Sequence, residues 1–175
     1  VGQTTFEEIN EIFAGHNYGW PHAEGFSDSS DYQNPIHAYP TTIGRCISGG
    51  AFYPNEGNFP SSWKGKYFFV DCAANWLKAI DVDQPEQVID FAKDLDSPVW
   101  NEVHPDGSLW VLNRWTIWRD GDRFEENSGS LVRLSYLGEG KGGTKEEPFP
   151  EFVSQTGIFE NLSTFQSIVA AILHL

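Results

Sequence analysis

A series of short apolar runs, broken by Gly, Pro, Asn and Asp, constrains the fold of this chain more than any other feature. Residues 47–53 (ISGGAFY) read as a strand with a Gly-Gly kink. Residues 66–72 (KYFFVDC) are continuously apolar, the pattern of a strand buried on both faces. Residues 76–82 (WLKAIDV) alternate, and residues 87–91 (QVIDF) supply a fourth candidate. Four short strands in sequence, joined by turns, form one antiparallel unit.

The pattern then restarts. Residues 99–114 (VWNEVHPDGSLWVLNR) hold two strands around Pro105-Asp106-Gly107. Proline at the second position and glycine at the fourth suit a type I turn. Residues 115–127 are a polar excursion, and residues 130–137 (SLVRLSYL) alternate again. The repeat of about 45 to 50 residues is near the length of a propeller blade. Seven Trp and thirteen Phe give plenty to bury, and helix-favouring periodicity is scarce. The expectation is an all-β chain.

Residues 7–21 (EEINEIFAGHNYGWP) precede these units. Glu7 to Phe13 read as a short half-buried strand, and Ala14 to Pro21 as a turn segment rich in glycine. Gly2 and Gln3 lie in a tight turn just upstream. A strand between two glycine-bearing loops can bring a carboxylate, here Glu8, and several carbonyls to one point. Calcium favours such an all-oxygen set. A solvated glutamate is the commoner reading of these residues alone.

Taken together, GQTTFEEINEIFAGHNYGWPHAEG resembles the signature of the soluble, pyrroloquinoline-quinone-dependent sugar dehydrogenases. The wider superfamily includes glucose/sorbosone dehydrogenase-like proteins and hedgehog-interacting proteins, which bind a partner. The resemblance runs from Val1 to about Tyr136 and implies a six-bladed β-propeller. About two blades and part of a third would be present, with the rest of the propeller upstream. It also implies a calcium ion held by the Gly2–Gln3 loop, Glu8 and Tyr18. The implied parent is a secreted or periplasmic oxidoreductase acting on sugars.

Three departures stand against the quinone. The family carries a lysine after the strand equivalent to residues 67–72, where this chain has Ala73. It carries two arginines on the inner strand before the Pro-Asp-Gly turn, where this chain has Ser97 and Val99. A tricarboxylate needs such cations. The family's general-base histidine belongs to the half that would lie upstream, so this chain alone is expected to be inactive. The alternative is a non-catalytic calcium-containing propeller that binds a glycan or a protein.

Cys46 opens one expected strand and Cys72 closes the next, so an antiparallel pair places them at one end of the ladder. Two buried thiols are the other reading, and the extracytoplasmic address implied by the resemblance favours the bridge. His22 and His37 fall in the turn-rich stretch 22–45, read as a long surface loop, and receive no catalytic role. His104 beside Asp106 could suggest acid–base chemistry, but a structural histidine is the commoner case. Trp100, Trp110, Trp115 and Trp118 could form a sugar platform, although tryptophan more often packs a core.

A formal charge of −14 disfavours phosphate backbones and anionic lipid surfaces as partners. Residues 167–175 are too short to span a bilayer. No methionine is present, so the chain is expected to be a piece or a processed product of something longer. Residues 1–137 are expected to form the propeller part and residues 138–147 (GEGKGGTKEE) a flexible linker. Residues 148–175 would begin a further module or form a tail, with a short helix from Ser163 through Leu173.

Overall fold

The computed structural model describes residues 2–114 and 129–138, and the backbone of strand residues 152–158. Strand β1 (Phe6–Ile9) pairs antiparallel with β2 (His37–Pro40), with Glu7 opposite Tyr39. A four-stranded antiparallel sheet follows in simple order: β3 (Ile47–Phe52), β4 (Tyr67–Asp71), β5 (Trp76–Asp81) and β6 (Gln84–Ala92). A second runs β7 (Pro98–Val103), β8 (Leu109–Asn113), β9 (Ser130–Tyr136) and β10 (Phe152–Ile158). These are two successive propeller blades, with two strands of a third unit before them.

Pleating explains the stacking. Successive side chains of a strand point to opposite faces. On β4, Phe68 and Val70 join Tyr53, Leu77, Leu109, Val111 and Val132 in the core between the two blades. Phe69, on the other face, joins Ile9, Tyr39, Trp76 and Ile80 in the core between β1–β2 and the first blade. The continuously apolar strand is therefore buried on both faces, as its composition predicts.

The Pro-Asp-Gly turn forms as read. The Gly107 N–H donates to the His104 carbonyl at 2.8 Å, and Gly107 has φ +79°. Tyr53, 1% exposed, joins the blades at this turn: its hydroxyl donates to the Gly107 carbonyl at 2.6 Å.

Three expectations need adjustment. The first strand stops at Ile9 rather than Phe13, and Ile12 and Phe13 are exposed. The stretch 22–45 is not all loop, because β2 lies inside it. β6 begins three residues before the expected strand and takes in Pro85. As the edge strand of its sheet, β6 can tolerate a missing N–H donor. β10, within the stretch 148–175, pairs with β9. The expected helix from Ser163 lies outside the described residues.

Cys46 and Cys72 are disulfide-bonded, with Cα atoms 5.2 Å apart. The ladder brings them together: Ile47 pairs with Asp71, and the Cys72 N–H donates to the Cys46 carbonyl at 2.9 Å. The bridge closes a loop with a sequence separation of 26. Replacing both cysteines with serine should lower the unfolding free energy by about 3 kcal/mol. Urea unfolding of the double variant checks this, and an unchanged midpoint would refute it.

Candidate cation site and its surroundings

Two neighbouring glutamates on β1 face opposite ways and serve different purposes. Glu7 points into the core and is 1% exposed. Its carboxylate accepts the Ile47 N–H at 2.8 Å and the Gly2 N–H at 3.2 Å. Burial pushes its carboxyl above the usual carboxylate range, and these donors only partly offset it. Its contribution to stability is therefore present in acid and is lost as pH rises through the folded-state value.

Close to Glu7 lies Asp71, fully buried. One oxygen accepts the Tyr39 hydroxyl at 2.9 Å and the Cys46 N–H at 3.0 Å. The other accepts the Ala73 and Ala74 N–H groups at 2.9 and 2.8 Å. Burial, with Asp71 beside it, drives the Tyr39 hydroxyl far above its ordinary range, so it remains a donor.

Glu8 takes the other face. The Gly25 N–H donates to Oε1, and the Asn10 amide donates to Oε2 at 3.1 Å. Asn10 Oδ1 is buried and has no hydrogen-bond donor. An acceptor left bare beside a carboxylate is the donor set a hard cation uses. Among the described residues no group of three or more His, Cys, Asp or Glu side chains could hold a metal. A cation here would therefore rest on one carboxylate and neutral oxygens, of which the described contacts place Asn10 Oδ1 alone beside Glu8.

The Gly2–Gln3 loop is tied to Glu24. That carboxylate accepts the N–H groups of Gln3, Thr4 and Thr5 and the hydroxyls of Thr4 and Thr5. The Thr5 hydroxyl and the Gln3 N–H hold its carboxyl down to about 2. Gly2 must be glycine here, since a Cβ would sit 1.7 Å from the Phe6 carbonyl oxygen. The Tyr18 hydroxyl donates to the Glu11 carbonyl at 2.8 Å and accepts the Phe13 N–H at 2.7 Å. Among the described residues no hydrogen bond joins Tyr18 to Glu8.

Asn10 and Glu24 were not singled out in the sequence. Asn10 carries a readable signal, as the last residue of EEIN. Glu24 carries none, because its donors are mostly backbone groups 19 to 21 residues away.

The positions that would clamp a quinone offer no charge. Ala73 is exposed, and its N–H serves Asp71. Ser97 is 4% exposed, and its N–H donates to Asn75 Oδ1 at 3.0 Å. The Val99 carbonyl accepts the Ser48 hydroxyl at 2.7 Å. These three residues do not fit a tricarboxylate.

The remaining candidates have structural partners. His104 lies 3.2 Å from Asp106, and Arg133 binds the other oxygen of that carboxylate at 2.8 Å. Ser108, through its hydroxyl and N–H, holds the Asp106 carboxyl well below the usual range. His37 is half-buried against Tyr39 and Phe69, and burial lowers its pKa. His22 is exposed. Trp100 and Trp110 are half-buried, with the Trp110 N–H on the Ser108 hydroxyl at 2.8 Å. Trp115 and Trp118 lie outside the described residues.

Residues 1–118 match the family described as Glucose / Sorbosone dehydrogenase, and the chain belongs to that family. It is 30% identical over 134 residues to the HIPL2 protein of Arabidopsis thaliana, covering 62% of this chain and 19% of that protein. Among solved structures, the soluble aldose sugar dehydrogenase of Escherichia coli in its apo form is 25% identical with a TM-score of 0.57. The match covers 77% of this chain and 39% of that one. The PQQ-bound aldose sugar dehydrogenase of Streptomyces coelicolor is 22% identical with a TM-score of 0.55, covering 75% and 37%. The chain thus spans under two fifths of the length of these relatives.

Proposed function

We propose that this chain is the C-terminal part of an oxidoreductase propeller that oxidises a sugar, and that it contributes a calcium-bearing wall to the site. The observation carrying this reading is the Glu8 carboxylate, held by the Gly25 N–H, beside the unpartnered Asn10 oxygen. The ligands are Glu8 and carbonyls of Gly2, Gln3 and Tyr18, the three carbonyls supported by the family resemblance alone. The quinone and the catalytic base would be supplied from outside this chain. A secreted or periplasmic address is supported by the Cys46–Cys72 bridge, since such bonds persist in oxidising compartments. Among the described residues no helix is long and apolar enough to cross a membrane.

A second reading is favoured by Ala73, Ser97 and Val99. Without cations at these places, the propeller would keep calcium and shape and bind a glycan or a protein without redox chemistry. One experiment separates the two. The complete protein is loaded with PQQ and assayed for aldose-dependent reduction of an artificial electron acceptor. Quinone-dependent turnover supports the enzyme. No turnover and no quinone binding, with calcium-dependent retention on a glycan, supports the binding module.

Calcium is testable by linkage. At about 100 times its Kd, calcium should stabilise the folded protein by about 2.7 kcal/mol. Melting curves with calcium or chelator should show this shift in the wild type and its loss in Glu8→Gln. An equal shift in both proteins would remove Glu8 from the site.

A further inference from the structure

We propose that the cleft between the two blades, beside the β6–β7 turn, binds a small organic cation: an amine with an apolar body. The proposal is independent of the calcium and quinone readings. None of the described lining residues belongs to the inner strands β3 and β7, and Ala73, Ser97 and Val99 are not among them.

The sequence of the turn gives it two sides. In residues 91–97 (FAKDLDS), Phe91 and Leu95 pack against the core between the blades, while Lys93, Asp94 and Asp96 are exposed. The turn is pinned at three places. The Leu95 N–H donates to the Asn75 carbonyl at 2.9 Å, and the Ser97 N–H to Asn75 Oδ1 at 3.0 Å. The Arg114 N–H donates to the Ser97 carbonyl at 2.9 Å. Asp94 and Ser97 hold φ values of +58° and +51°. A non-glycine residue keeps that conformation only where its surroundings enforce it. The turn is thus a fixed rim, and the cleft beside it is preformed, with a volume of about 370 Å³. Small-molecule sites commonly have about 300–1,000 Å³.

The walls define the ligand. Phe91, Leu95, Val132 and Leu134 supply apolar surface. Asn113, at the end of β8, and Ser130, at the start of β9, supply polar surface. Asn113 is 2% exposed, and its amide donates to the Ser130 hydroxyl at 3.3 Å. Its Oδ1 is buried and has no donor. A buried acceptor without a partner is rare in a native fold and calls for a donor from outside it. The rim adds further acceptors. Among the described residues, neither the Asp94 nor the Asp96 carboxylate has a hydrogen-bond or ion-pair partner. An ammonium group carries three donors and no acceptor, which matches this set. Lys93 is the one cation among the described lining residues. A hard metal ion takes oxygen on every side, so the four apolar side chains suit an organic body instead.

The test is saturation-transfer NMR on the complete protein with three probes of similar shape: 2-phenylethylamine, 2-phenylethanol and phenylacetate. At pH 7 the first is a cation and the last an anion. The amine should bind most tightly, the alcohol less so and the carboxylate least. The double variant Asp94→Asn/Asp96→Asn should weaken the amine about three- to fivefold, as for exposed ion pairs, and leave the alcohol unchanged. Asn113→Leu, with folding checked by its melting curve, should weaken both amine and alcohol about tenfold. Calcium should not displace the amine. Equal binding of the three probes would make the cleft a plain apolar gap, and displacement by calcium would make it a metal site. Either result overturns the proposal, as does amine binding that both variants leave unchanged. No binding of the amine would assign Asn113 Oδ1 to water and end it.

Discussion

Asp71→Ala is expected to lower the unfolding free energy by about 4 kcal/mol, because it strands four donors at once, the buried Tyr39 hydroxyl and three part-buried N–H groups. The carboxylate is 0% exposed and joins three parts of the chain. It accepts the Tyr39 hydroxyl from β2, the Cys46 N–H ahead of β3, and the Ala73 and Ala74 N–H groups in the β4–β5 turn. A hydrogen bond to a charged group is worth about 1.5–3 kcal/mol, and water entering the cavity would recover part of the loss. Room is scarce: a Cβ on Gly44 would already lie 2.2 Å from Asp71 Oδ2. Asp71→Asn is a gentler probe, since it keeps the volume but turns an amide NH2 toward N–H donors. Chemical unfolding measures both variants. A loss below about 1 kcal/mol for Asp71→Ala would mean that water or Glu7 satisfies these donors, and the argument would fail.

The legible parts of this fold are those where local pattern and tertiary environment agree. Residues 66–72 read as a strand buried on both faces because each face meets a different sheet. Phe68 meets the second blade and Phe69 meets β2. The disulfide was legible because strand ends fix geometry: once 47–52 and 67–71 pair, Cys46 and Cys72 have nowhere else to be. β2 was not legible. The four residues HAYP follow Pro35 and end in Pro40, and their partner lies some thirty residues upstream. Ile12 and Phe13 misled for the opposite reason, being apolar by composition yet exposed in the structure.

The site divides in the same way. Glu8, Gly2 and Gln3 were read from a motif; in the structure Glu8 accepts the Gly25 N–H, while the Gln3 N–H goes to Glu24 and the Gly2 N–H to Glu7. Glu24 could not be read, since a backbone N–H has no sequence signature and any residue can donate one. The two glutamates of EEIN illustrate the limit of periodicity. Alternation places Glu7 and Glu8 on opposite faces of a strand but does not say which face is dry. Ile9, on the face of Glu7, decides it by packing against Tyr39 and Trp76.

Gly49→Ala is expected to cost about 3 kcal/mol, through left-handed backbone strain and a clash between the blades. Gly49 sits in the irregular register between Ser48 and Ala51 on β3, with φ +62°. That region costs a non-glycine residue about 1–2 kcal/mol. A Cβ would also lie 2.7 Å from Asn101 Oδ1, 2.9 Å from the Asn101 backbone nitrogen and 3.0 Å from the Trp100 Cα. Two of those three atoms are backbone of β7 and cannot swing aside. Asn101 is itself held, 1% exposed, with its amide donating to the Phe68 carbonyl at 3.2 Å. Overpacking of this kind costs about 1–3 kcal/mol. Gly65→Ala is the control, since Gly65 has φ +76° with nothing within 4 Å of its Cβ position. It should show the strain alone. Thermal and urea unfolding of the two variants side by side isolate the clash. If Gly49→Ala costs no more than Gly65→Ala, the inner strands of the two blades are not in the close contact described.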